Sequence, residues 1–160
     1  MCRFKFTTQV VVWVLFLMAF CAVAMAGDLP DPKLTPGVVR TTDAKDVCSG
    51  VSTKEYRHTS TATKLAVYKA YGILPHMDYC SGSEGCEIDH LISLELGGAD
   101  EQANLWPQAY QGDHNAHQKD ALENTLHKLV CAGTITLDEA QTAIRTDWIA
   151  AYQKYVTPSK

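Results

Sequence analysis

The chain has 160 residues, 46% of them hydrophobic, with 14 Lys and Arg against 18 Asp and Glu and a formal net charge of −4. That length holds one domain. The acidic balance excludes a protein that coats nucleic acid through a broad basic surface, because neutralising phosphates is what makes such binding tight.

The first segment reads as a signal peptide over residues 1–26. Arg3 and Lys5 precede an apolar run over residues 10–23, and Ala24-Met25-Ala26 supplies the small-x-small pattern of a cleavage site. The run is shorter than the roughly 20 residues that span a bilayer. Bulky Phe20 before Cys21 argues against lipidation, so no membrane attachment is expected after cleavage. The mature chain would begin near Gly27 with 12 basic against 18 acidic residues, in the periplasm or the medium. Four cysteines then remain, Cys48, Cys80, Cys86 and Cys131, an even number in a chain addressed to an oxidising compartment. Of the possible connectivities, Cys80 with Cys86 across residues 81–85, leaving Cys48 with Cys131, is favoured. Zinc held by cysteines competes with this, but no close CxxC pair is present.

Residues 27–58, with Pro30, Pro32 and Pro36 near their start, suit an extended segment lying across a surface. A folded domain is expected over 59–160. It opens with a helix over 59–71, patterned by Ala62, Leu65, Ala66, Tyr68 and Ala70 and closed by Gly72. A turn-rich stretch over 75–85 leads to an apolar segment over 88–96 before Gly97-Gly98, which reads as a hairpin. Past Pro107 the chain is loop-like to about Asn115. A second helix follows with Leu122, Leu126, Leu129 and Val130 on one face, ended by Gly133. Thr136 and Glu139 form a capping-box pattern, and Leu137, Ala140, Ile144, Trp148 and Ala151 mark the buried stripe of a last helix. The expected class is α+β.

The chemistry concentrates in Glu87-Ile88-Asp89-His90-Leu91-Ile92-Ser93-Leu94-Glu95-Leu96-Gly97-Gly98, followed by Asn104-Leu105-Trp106-Pro107-Gln108. Phosphodiester hydrolysis needs an activated water, a cation to stabilise developing charge and a group that orients the base. An Asp-His pair followed by Gly-Gly and Asn can supply all three. Neighbours on a straight strand point to opposite faces, so a bend must bring Asp89 and His90 to one target.

This segment resembles the HNH, or ββα-metal, nuclease superfamily, over roughly residues 87–124. The resemblance implies a ββα-metal core with flanking helices, here disulfide-braced, in which His90 is the general base, Asp89 ligates a divalent ion and Asn104 holds the hairpin loop. The helical metal ligand has two candidates. His117 would be the simplest match to the family's helical histidine, although the zinc-knuckle cysteines of the commonest form are missing. Asn115 with Glu123 is similar to the non-specific DNA/RNA endonucleases of the same superfamily, where Glu123 would support the metal's waters. Residues two apart on a helix diverge by about 200°, so Asn115 and His117 are alternatives, and Asn115 is favoured because Glu123 supports it. An Asp and Asn donor set suits Mg²⁺, whereas His117 would admit Zn²⁺, Mn²⁺ or Ni²⁺ more readily.

The other residues of these types take structural readings. His58, His76 and His127 have no motif partners, His114, in the loop entering the helix, is a solvated residue or a phosphate contact, Trp106 belongs to the core, Tyr110 is left outside the site, and Lys119 is a solvated charge or a phosphate contact. The expected activity is metal-dependent hydrolysis of DNA or RNA by an exported endonuclease. The rival expectation is a non-catalytic exported binding module that keeps the ββα scaffold, which the acidic charge favours.

Overall fold

The computed structural model describes residues 28–73 and 85–157. Within them the elements are α1 (Ala44–Val47), α2 (Thr61–Ala70), β1 (Cys86–His90), β2 (Leu105–Ala109), α3 (Ala116–Cys131) and α4 (Leu137–Tyr155), with 3₁₀ turns at Thr53–Tyr56, Leu94–Leu96 and Gln102–Asn104. The fold is α+β: a two-stranded sheet among helices. The signal-peptide expectation and Cys80 lie outside the described residues, as does His76.

β1 and β2 pair antiparallel, with Asp89 opposite Trp106 and His90 opposite Leu105. The hairpin is therefore wider than the sequence suggests. The apolar residues after His90 do not continue the strand; they enter a long connection over 91–104, and the return strand, Leu105–Ala109, runs two residues into the loop expected past Pro107. Alternation sets the two faces. Ile88 and Leu105 pack with Val67 of α2, flanked by Tyr68 and Tyr71. Helix α2 is two residues shorter at its start than expected, with Ser60 accepting from Thr63 N as its cap. Its buried residue is Val67 alone, while Leu65 remains 48% exposed, because this short helix meets the sheet along one narrow line.

The main core joins α3, α4 and the connection. Leu122, Leu126 and Val130 of α3 pack with Leu137, Ala140, Ile144, Trp148 and Ala151 of α4 and with Ile92 and Leu96. Both long helices start on capping boxes, Asn115 with Gln118 and Thr136 with Glu139. Helix α4 bends at Asp147 (φ −161°, ψ 93°), whose carboxylate accepts from Ala150 N at 2.9 Å and so caps the second half. The N-terminal segment is not purely extended: it carries α1 and the turn at Thr53–Tyr56, and it docks through a bridge between Val39 and Gly98. Thr35 is buried there and donates to Leu105 O. Cys48 and Cys131 are joined in a disulfide that ties the end of α1 to the end of α3, which is the expected pairing. Cys86 is also disulfide-bonded. Among the described residues no helix is long and apolar enough to cross a membrane.

Candidate active site

The connection over 91–104 is held by one side chain. Asn104 is fully buried, its Oδ1 accepts from Ile92 N (3.0 Å), and its Nδ2 donates to Ile92 O (2.9 Å) and Ala99 O (2.8 Å). The two glycines serve the same closure. Gly97 takes φ 77°, and a Cβ on Gly98 would lie 1.8 Å from Ile92 O, so only glycine permits the loop to cross itself there. Asn104 thus closes the connection on itself and is not among the residues lining the cavity.

A cavity of about 270 Å³ opens where β1 ends. Its wall includes Asp89 and His90 from β1, Ser93 and Glu95 from the connection, Asp120 and Glu123 from α3, and Arg57 from the N-terminal segment. His90 is the last strand residue, which is how two neighbours with opposite strand faces both reach one space.

His90 is 2% exposed, and its Nε2 lies 2.7 Å from Asp100 Oδ1. Asp100 also receives hydrogen bonds from His58 N and Thr59 Oγ1. Partial burial raises the Asp100 carboxyl, but the hydrogen bonds from Thr59, His90 and His58 outweigh it and hold it below the ordinary carboxylate range. An ionised Asp100 takes the Nε2 proton of His90 as its donor, leaving the lone pair on Nδ1. Burial lowers the proton affinity of His90, and the bond to Asp100 offsets this only in part. A neutral, oriented imidazole with Nδ1 free among the described residues is the form a general base requires.

Asp89, on the same cavity wall, is tied to α3. Its Oδ2 accepts from Lys119 Nζ at 2.7 Å, and the same ammonium donates to His90 O at 2.6 Å and to Glu123. Lys119 is fully buried, so it is neither the solvated charge nor the phosphate contact that its sequence context suggests. Burial opposes its charge, but Asp89 and Glu123 prevail and raise its pKa. Glu123, which also lines the cavity, shares Lys119 with Asp89 and so links α3 to β1.

The remaining carboxylates crowd the cavity. Burial raises Glu95, as does Asp120, against the pull of His127. Asp120, the more exposed of the two, is raised by burial and by Asp89. Ser93 is 5% exposed, lines the same cavity, and its Oγ has no hydrogen-bond partner among the described residues. Arg57 is the cation on this wall, and its guanidinium makes no hydrogen bond among the described residues. The wall offers carboxylate oxygens and a buried hydroxyl without a partner, donors of the kind a divalent cation takes, but among the described residues these carboxylates do not converge as a group of three ligands around one point.

The structure departs from the expected helical ligand. Asn115 is the N-cap of α3, with Oδ1 accepting from Gln118 N (3.2 Å) and Nδ2 donating to Gly112 O (3.1 Å). His117 is exposed, with its ring centroid 5.8 Å from that of Tyr110. Neither lines the cavity. The reason is helical geometry: the turn that faces β1 is the one carrying Lys119, Asp120 and Glu123, one turn further along α3. His114 is likewise elsewhere, its Nδ1 2.8 Å from Asp28 Oδ2. Asp120, Glu123 and Asn124 stand at i, i+3 and i+4 spacing, a pattern legible in the sequence that the Asn115 and His117 alternatives overshadowed. Glu95 sits inside the motif segment. Asp100 follows Gly-Gly-Ala in a loop, where no periodicity marks it.

A second group has ligand character. Cys48, His127 and Cys131 offer ligand atoms that all lie within 4.8 Å of one another and could hold a metal ion. In comparisons with known proteins, no family model, no curated protein and no solved structure matches the chain.

Proposed function

We propose that the protein is an exported, metal-dependent endonuclease of the ββα-metal kind that hydrolyses phosphodiester bonds in DNA or RNA. The observation that carries this reading is the His90–Asp100 pair, with Nε2 2.7 Å from Oδ1, at the wall of a cavity rich in carboxylates. His90 Nδ1 takes the proton of a water in the cavity. The water oxygen bonds to phosphorus as the ester bond breaks, and the departing oxygen takes a proton from solvent. Arg57, the cation in the cavity lining, draws the phosphate toward His90 and the acids. Asp89, Glu95 and Asp120 do not converge as three direct ligands, so they would hold a divalent ion largely through its bound waters, and the ion would supply the positive charge for the phosphate that an acidic chain lacks. With His117 away from the cavity, the donors are oxygens and Mg²⁺ or Mn²⁺ is favoured over Zn²⁺ or Ni²⁺.

One observation favours the rival reading of a non-catalytic binding module. The Lys119 ammonium already neutralises one oxygen of Asp89, the residue expected to be the chief ligand. The test is hydrolysis of plasmid DNA and of a structured RNA by the oxidised protein with Mg²⁺, Mn²⁺, Zn²⁺, Ni²⁺ or EDTA, beside a folded His90→Ala variant. Metal-dependent cutting that falls about 10²-fold or more in the variant is the expected result. A well-folded protein that cuts nothing with any ion would leave the binding module standing in its place.

A further inference from the structure

Cys48 caps α1 and Cys131 is the last residue of α3, and both are exposed. His127 lies four residues before Cys131 on α3, on the same helical face. Its Nε2 is 3.5 Å from Cys131 Sγ and 3.1 Å from Val47 O. An exposed disulfide is open to exchange with a small dithiol. Once it opens, two sulfurs and an imidazole nitrogen surround one point, with ligand atoms already within 4.8 Å of one another. Zinc takes this donor set at about 2.3 Å to sulfur and about 2.0 Å to nitrogen, distances that rotation of two surface cysteine side chains can reach.

We propose that Cys48, His127 and Cys131 form a redox-gated soft-metal site: a disulfide in the oxidised protein, and a three-ligand zinc centre once that bond is reduced. A dithiol reductant delivers two electrons and two protons to the Cys48–Cys131 bond and becomes a cyclic disulfide. Zinc then displaces both thiol protons. His127 Nε2 gives up its hydrogen bond to Val47 O as its proton moves to Nδ1, and its lone pair completes the protein's share of ligands. A fourth position stays open to water. The metal ties α1 to α3 at the point where the disulfide does, so the two states brace the same junction. Sulfur and imidazole donors separate this site from the oxygen-lined cavity, and the inference is independent of the endonuclease reading.

Cobalt is the probe, because thiolate ligation gives a charge-transfer band that oxygen ligands do not. The protein is reduced with dithiothreitol, freed of it under anaerobic conditions and titrated with Co²⁺, then with Zn²⁺ in competition. The band is expected in the reduced protein, absent in the oxidised one, lost in Cys131→Ser and retained in Cys86→Ser. His127→Gln keeps the disulfide for folding, and after reduction it should bind cobalt more weakly by about tenfold or more. The proposal is overturned if the reduced protein shows no such band, if the band follows Cys86 instead of Cys131, or if His127→Gln titrates as the parent does.

Discussion

Two side chains, Asp100 and Lys119, fix the chemistry available at the cavity, and each acts through a neighbour. Asp100 selects which nitrogen of His90 carries the proton. Asp100→Asn keeps the size and an acceptor for His58 N and Thr59 but removes the charge that favours Nε2–H. The expected outcome is a fall in kcat of about 10²-fold with KM unmoved, since general-base catalysis contributes about 10²- to 10⁴-fold; steady-state kinetics that show a change in KM alone would assign Asp100 to substrate binding instead. Lys119 is the opposite kind of residue, a buried charge whose partners depend on it. Lys119→Met leaves Asp89 and Glu123 facing each other without a counter-ion, and breaking a buried ion pair from one side costs about 3–5 kcal/mol. Urea unfolding should show that loss most clearly above pH 8, because burial pushes the Glu123 carboxyl up to about 8, and Glu123→Gln on top of Lys119→Met should recover part of it there, because one of the two stranded charges is gone. Additive costs in the double variant would mean that the two residues are not coupled.

At the scale of elements, the site is assembled by a connection and not by a regular helix or strand. Asn104 satisfies Ile92 N, Ile92 O and Ala99 O, and a buried polar group left without its partner costs about 1–3 kcal/mol. Asn104→Ala should therefore destabilise the protein by several such increments and abolish hydrolysis, although Asn104 does not touch the cavity. Near-parental activity in a fully folded Asn104→Ala would show that Ser93 and Glu95 need no fixed loop. This division explains what could be read in advance. The α4 stripe of Leu137, Ala140, Ile144, Trp148 and Ala151 was legible because burial along a long helix imposes one period, and all five residues are buried. The Gly97-Gly98 and Asn104 signals were legible because loop closure demands special residues. The extent of the hairpin was not, since the apolar run after His90 is buried as loop and carries no strand period. Asp100 and Lys119 escaped for a related reason: their roles come from contacts 10 and 30 residues distant, with His90 and Asp89, and nothing local records such contacts.

For the whole molecule, the buried ionisable groups pull stability in opposite directions with pH. Burial first, and then neighbouring carboxylates, raise Glu87 and Glu95 above their ordinary range. A carboxyl raised in the folded state adds stability that is fully present below its unfolded value, about 4.3, and is lost as pH rises through the folded value. His90 does the reverse, because burial lowers it: its contribution is present above the unfolded value of about 6.5 and is lost as pH falls through the folded one. The two substitutions Glu95→Gln and His90→Gln separate these slopes. Measured in chelator, so that no cation offsets the carboxylates, Glu95→Gln should unfold at a higher temperature than the parent at pH 8, with the difference vanishing toward pH 4. His90→Gln should differ from the parent least at acid pH, where the parent has lost the contribution of its neutral imidazole. A Glu95→Gln advantage that is constant across the range would show that Glu95 is not ionised against a cost at neutral pH. If the cost is real, the same substitution should weaken metal-dependent hydrolysis, because a carboxylate held in a crowded wall is strained in the absence of a cation and is the group a cation would relieve.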